Sequence, residues 1–369
     1  MSGSPPDRAT IRPPVGLLGM LALVAAVEAG IAGLRADLVS PLAEDWRSAA
    51  EAARSKAPGA DVLCFGDSLV KYGVLPRVIQ QRTGLRAYSL ATSGGTMASS
   101  FFLFRQALDA GARPRAVIVD FAALMLRDPD PPKLLNYPEL GTVRDCLDLA
   151  WTARDPNFLG SSAVSKLLAS YRWRFEIRRS IRLALDGVAG SQRPGLMHYL
   201  DLWDREAGAN PVDAARVRHP QEETLIDGVC PADWACKPVD RAYLDRFLAL
   251  AEARGVTVYW LMPPFAPEVH ERRASRGTDA AYARFVRSVA EGRRGLVIVD
   301  ARGSGYDNLA HVDHLHLNRR GASVLSGDLA EVLASRAGGR SWVDLPAFAG
   351  RTGDEPAPGL ARSAPSTTR

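Results

Sequence analysis

Short, nearly unbroken apolar runs recur along the chain, each bounded by Gly, Pro, Ser or Asp: "DVLCFGDS" (61–68), "LRAYSLATSGG" (85–95), "RAVIVDF" (115–121), "VTVYWLMPP" (256–264) and "LVIVDA" (296–301). Runs so short and so continuously apolar predict strands buried on both faces. Among them lie "PRVIQQRTG", "MASSFFLFRQALDAGARP", "VDRAYLDRFLALAEARG" and "DAAYARFVRSVAEG". These segments place apolar residues at helical spacing, and most reach a glycine suited to follow the last turn. The alternation predicts an α/β domain with a parallel, five-stranded sheet and helices on both faces.

The rhythm breaks once. Far more chain separates the third run from the fourth than a βαβ crossover needs, so residues 129–239 are expected to form a mainly helical insertion. It divides the core into a first part, 59–128, and a second, 240–336. Within it, "YRWRFEIRRSIRLALDG" (171–187) predicts a basic amphipathic helix, with Trp173, Phe175, Ile177, Ile181 and Leu185 set among Arg172, Arg174, Arg178, Arg179 and Arg182. Its arginines are expected to face water, an anionic polymer or lipid headgroups. Residues 337–369, rich in Gly, Pro, Ser, Thr and Arg, have the composition of a disordered tail.

At the other end, residues 13–35 contain an uncharged stretch from Val15 to Val27 that continues to Leu34 past Glu28, behind a flank (1–12) bearing Arg8 and Arg12. A membrane anchor or an export signal is expected, with 36–58 as a helical linker and the core on the extracytoplasmic, periplasmic side. No A-x-A cleavage site stands out, which favours the anchor over a protein secreted after cleavage.

Composition narrows the classes. With 369 residues, 47% hydrophobic and 24% charged, the chain can bury a full core and is neither disordered nor fibrous. The formal charge of +5 comes from scattered arginines that form no nucleic-acid motif. Four cysteines are too few for a disulfide scaffold; Cys64 reads as a core residue, while Cys230 and Cys236, in "CPADWAC", are close enough in sequence for an oxidising compartment to join them. Nothing in the sequence sets an oligomeric state.

The candidate chemistry lies where strands end, since ligands of open parallel sheets collect beyond the carboxyl ends of the strands. Ser68 follows the first strand at the expected start of a helix, where free amides favour a developing negative charge. The second strand runs into "TSGG" (92–95), where Gly94 or Gly95 lets the backbone approach a ligand and present another amide. A serine nucleophile needs a base, and the base needs an orienting group. "HVDHLHLN" (311–318) offers Asp313 and His316 ahead of a helix that Asn318 can cap. A general-base histidine must be neutral, so activity is expected to fall below about pH 6. Two plainer readings compete: Ser68 as a helix-capping serine, and His311, Asp313, His314 and His316 as a metal site, although adjacent residues cannot all point inward.

"FGDSL", "TSGG" and "DHLHLN", in that order, resemble the SGNH, or GDSL-type, hydrolase superfamily over about 60–130 and 240–336. The resemblance implies a three-layer α/β/α, flavodoxin-like domain. Ser68 would be the nucleophile, His316 the general base and Asp313 its orienting carboxylate, with the amides of Ser68 and Gly94 as oxyanion donors. It implies no metal or other cofactor. The expected activity is a serine esterase or O-acyltransferase acting on an O-acyl ester, acetyl first, of an envelope polysaccharide or lipid. One departure stands out. The superfamily carries Gly-x-Asn-Asp after the third strand, and here the strand runs into "VDFAALML", with neither that glycine nor that asparagine. Another donor such as Asn136 would have to serve, or the chain keeps the fold as an envelope binding or assembly protein without turnover.

Overall fold

The computed structural model describes residues 15–39, 41–127, 136–187, 193–217, 221–335, 341–349 and 351. The expected strands form at Val62–Phe65 (β1), Ala87–Ser89 (β2), Ala116–Val119 (β3), Thr257–Met262 (β4) and Leu296–Asp300 (β5), and a sixth, Trp342–Asp344 (β6), joins them. The order is β2-β1-β3-β4-β5-β6, every pair parallel. The sheet is therefore six-stranded rather than five-stranded. β6 lies inside the segment expected to be a disordered tail, of which 337–340, 350 and 352–369 lie outside the described residues.

What holds β6 is pairing with a partner rather than its own composition. Ile298 N donates to Ser341 O and Leu345 N to Asp300 O, both at 2.9 Å, while Leu345 and Phe348 bury their side chains behind the strand. Phe348 stacks on Tyr306 with ring centroids 4.4 Å apart.

All residues of β1, β3 and β5 are buried, as strands of a parallel sheet covered on both sides must be. Side chains alternate between two cores. Leu63, Phe65, Val117, Val119, Trp260 and Ile298 pack with the helices Pro41–Ser55, Met97–Asp109, Pro238–Ala253 and Thr278–Ala290. Val62, Cys64, Ala116, Ile118, Tyr259 and Val297 pack instead with Ser68–Gly73, Pro76–Thr83 and Arg319–Ala334. The chain leaves β1 for β2 on one side and later places β3 on the other, so the order reverses at β1, and the carboxyl end of β1 is where such sheets open a crevice.

Between β3 and β4 the described residues are helical or irregular, with no strand. The basic segment forms two helices, Ala169–Arg172 and Arg174–Leu185, because Trp173 leaves helical geometry and buries itself against Val39 and Ala43. Cys230 and Cys236 are free thiols: Cys230 packs with Phe265 and Val269, while Cys236 packs against the core behind the sheet, so the disulfide considered from the sequence is absent.

The helix Val15–Gly33 has a mean hydropathy of 2.1 over its most apolar window, is exposed except at the half-buried Glu28 and Ile31, and is long and apolar enough to cross a membrane or serve as a signal sequence. The flank 1–12 lies outside the described residues.

Candidate active site

β1 ends at Phe65, and the next three residues set the site. Gly66 has φ +143°, and a Cβ there would lie 1.9 Å from Asp120 Oδ1, so only glycine fits between β1 and the carboxyl group that ends β3. Asp67 then caps the helix Ser68–Gly73, its side chain accepting from Leu69 N at 2.7 Å, while its own amide donates to Asp120 Oδ1 at 3.3 Å. The capping role considered for Ser68 belongs to Asp67, which leaves the Ser68 hydroxyl available.

That hydroxyl lies 2.8 Å from His316 Nε2, and His316 Nδ1 lies 2.8 Å from Asp313 Oδ2. A carboxylate only accepts, so Nδ1 carries the proton and Nε2 is left to accept from Ser68. Asp313 Oδ1 is fixed in turn by the amides of Leu315 (2.7 Å) and His316 (2.8 Å). Burial alone would raise the Asp313 pKa, but the hydrogen bond and charge of His316 and these two amides outweigh it and hold the carboxyl well below its ordinary range. Asn318 caps the following helix, accepting from Gly321 N at 3.0 Å, and so anchors the loop just beyond His316. His311, by contrast, is buried with Nδ1 bonded to Asp307 O at 2.8 Å, and among the described residues no group of three or more His, Cys, Asp or Glu is placed to hold a metal ion.

The "TSGG" loop is accounted for amide by amide. Thr92 N donates to Gly66 O (3.2 Å), Ser93 N to Asp45 Oδ2 (2.6 Å) and Gly95 N to Thr92 O (2.9 Å). Gly94, third in this turn with φ +65°, is the position where such a turn demands glycine. Its amide and that of Ser68 have no acceptor among the described residues. Gly95 is needed for a different reason: a Cβ would meet Gly66 O at 2.5 Å.

Asn136 heads the short helix Tyr137–Leu140 without a side-chain cap bond, and the side-chain hydrogen bonds of Ser68 and His316 do not include it. Ala122 occupies the ground after β3, in a small apolar cluster with Leu69, Ile226, Cys230, Phe265 and Val269, against which Val229 and Leu315 pack. Ile226 and Val229 come from the insertion, which thus reaches the rim beside Ser68 and His316.

Other contributors are not evident from motifs. Tyr72 lies one turn after Ser68, edge-on to the His316 ring with centroids 5.1 Å apart, its hydroxyl 3.2 Å from Ser93 Oγ; the i, i+4 spacing was the available signal. Asp120 is fully buried, and burial followed by the neighbouring Asp67 charge raises its pKa well above the ordinary carboxylate range. Asp45, far away in sequence, receives Ser93 N, Lys71 Nζ (2.5 Å) and Tyr199 OH (2.8 Å). No sequence motif announced it.

The two glycines can be separated by experiment. Gly66→Ala is expected to lower stability by about 3 kcal/mol, since both conformation and space oppose it. Gly94→Ala, with open space around its Cβ, should cost about 1 kcal/mol from the left-handed backbone alone. Denaturant melts of both variants check this order, and equal losses would contradict it.

Against known proteins, the chain matches no protein-family model and no curated protein.

Proposed function

We propose that the chain is an SGNH-type serine esterase or O-acyltransferase acting on an O-acyl ester of an envelope carbohydrate or lipid, held at the membrane by its N-terminal helix with the catalytic part on the extracytoplasmic side. The observation that carries the reading is the continuous line Ser68 Oγ, His316 Nε2, His316 Nδ1, Asp313 Oδ2, with 2.8 Å at each of its two hydrogen bonds. The two side-chain cores on either face of the sheet support the three-layer arrangement that goes with it.

In this mechanism Ser68 Oγ bonds to the ester carbonyl carbon as its proton passes to His316 Nε2, and Asp313 stabilises the imidazolium. The carbonyl oxygen gathers negative charge against the amides of Ser68 and Gly94. His316 then protonates the departing alkoxide as the carbon–oxygen bond breaks, leaving an acyl-serine. A water or a sugar hydroxyl, deprotonated by the same nitrogen, releases the acyl group as acid or as a new ester.

A missing oxyanion donor costs about 2.7 to 4 kcal/mol of transition-state stabilisation, so Ala122 in place of a side-chain amide implies slow turnover. The same absence favours the second reading, a binding or assembly protein without chemistry. Fluorophosphonate labelling separates them. The wild type should take up the probe and Ser68→Ala should not; a wild type that stays unlabelled, or a variant that still labels, rejects the acyl-serine.

A further inference from the structure

The helical insertion exposes apolar surface that water alone does not explain. Along Pro156–Leu167 the outward residues include Leu159, Ala163, Val164 and Leu167, and none of the exposed positions carries a charge. Leu167 is 81% exposed, and Trp151, on the preceding helix Val143–Ala153, is 86% exposed at a groove of about 540 Å³ lined by Leu147, Pro156 and Leu159, with Arg154 and Asp155 at its charged end. Beyond them, Arg174–Leu185 turns Ile181 and Leu185 outward beside the exposed Arg178 and Arg182. Large apolar side chains gathered on adjoining helices mark a surface that something covers.

What covers it is indicated by the N-terminal helix. Glu28 accepts hydrogen bonds from both the amide (2.9 Å) and the hydroxyl of Ser170, and Ile31, like Ile177, packs against the cluster of Val39, Ala43 and Trp173. Ser170 is three residues past Leu167, so the bare end of the apolar helix is fixed at the level of Glu28. Glu28 is five residues before the end of Val15–Gly33, about 7 Å along its axis. That is the depth at which amphipathic helices rest in the boundary between headgroups and acyl chains, about 5 to 10 Å in. Arginines flanking an outward apolar strip suit the phosphates of such a layer.

We infer that the insertion lies in the membrane interface, with Leu159, Val164, Leu167 and Trp151 in contact with phospholipid acyl chains and Arg178 and Arg182 on the headgroup phosphates. The inference rests on the proposed anchoring by Val15–Gly33. It gives the catalytic domain a second membrane contact and ties the insertion, which also touches the Ser68 rim through Ile226, to the bilayer surface.

The test uses the full chain in phospholipid vesicles containing anionic lipid, with Cys236 replaced by serine and single nitroxide labels at Leu21→Cys, Trp151→Cys, Leu167→Cys and Arg254→Cys. Collisions with lipid-soluble oxygen and with a water-soluble nickel chelate are compared. Leu167 and Trp151 labels should shift toward the oxygen-rich, nickel-poor behaviour of the Leu21 label, while the exposed Arg254 position stays at its solution value. Solution behaviour at Leu167 and Trp151 with a lipid-exposed Leu21 overturns the inference and leaves the anchor standing. Solution behaviour at Leu21 overturns both. Spin–spin broadening at Leu167 under high lipid dilution assigns the face to a second copy and likewise overturns it.

Discussion

Replacing His316 by alanine should lower kcat/KM for a small soluble acetyl ester by about 10⁵-fold, and replacing Asp313 by alanine by about 10⁴-fold, the unequal losses expected of a nucleophile, base and orienter acting as a unit. His316 is the only group within hydrogen-bonding distance of Ser68 Oγ among the described residues, so its loss removes the route for the serine proton. Asp313 acts through His316. Without it the ring can still meet Ser68, but neither its orientation nor the proton on Nδ1 is fixed. Combining Ser68→Ala with His316→Ala should cost no more than the worse single change. Rates on p-nitrophenyl acetate check all three, and losses that multiply, or an active His316→Ala, would remove the triad from the mechanism.

The sign of the Asp313 shift adds a pH condition. Its folded pKa lies below the unfolded value, so its contribution to stability is complete above about pH 4 and fades as the pH falls through the folded pKa. Asp313 therefore stays ionised throughout the neutral range. The effect of Asp313→Asn on rate should be constant above about pH 8, where a histidine base is neutral with or without the carboxylate, and an acid limb at lower pH belongs to a group other than Asp313.

How much of this was legible depends on where the information resides. β1, β3, β4 and β5 announce themselves because a strand covered on both faces must be apolar throughout, a local requirement visible in a few letters. β6 does not. "WVD" is set among Gly, Arg and Ser, and its stability comes from β5 and from Phe348, which no window around it reveals. Ser68, Gly94, Asp313 and His316 were readable because turns and strand ends demand particular residues at fixed offsets. Asp120 was not, since its carboxyl matters only where β1 and β3 meet, in the space that Gly66 leaves empty. The break at Trp173 was hidden in the same way: helical periodicity runs through it, and only the packing of Val39 and Ala43 selects a bend.

Asp45 is the strongest case, and its replacement should have the largest effect on stability. The residue stands in what reads as a helical linker, yet it is 1% exposed and receives Lys71, Tyr199 and the Ser93 amide together. Lys71 is fully buried, its Nζ 3.3 Å from the centroid of the Trp203 ring, and burial pushes its amine down to about 8 against the opposing pull of Asp45. Asp45→Ala leaves that amine without its counter-charge, a loss of about 3 to 5 kcal/mol. Because the folded amine then gives up its proton more readily than the unfolded one, the variant's stability should climb with pH from near neutrality toward the ordinary lysine pKa. Adding Lys71→Met removes the stranded charge and should restore most of the stability, as exchange of a buried ion pair for apolar groups often does. It cannot restore activity. Ser93 N still lacks its acceptor, so the turn that presents Gly94 stays loose and kcat should remain depressed while KM changes little. Denaturation and kinetics on the single and double variants separate these effects. A double variant that regains both stability and kcat would mean that Asp45 serves only to neutralise Lys71, with no part in positioning the Ser93–Gly94 turn.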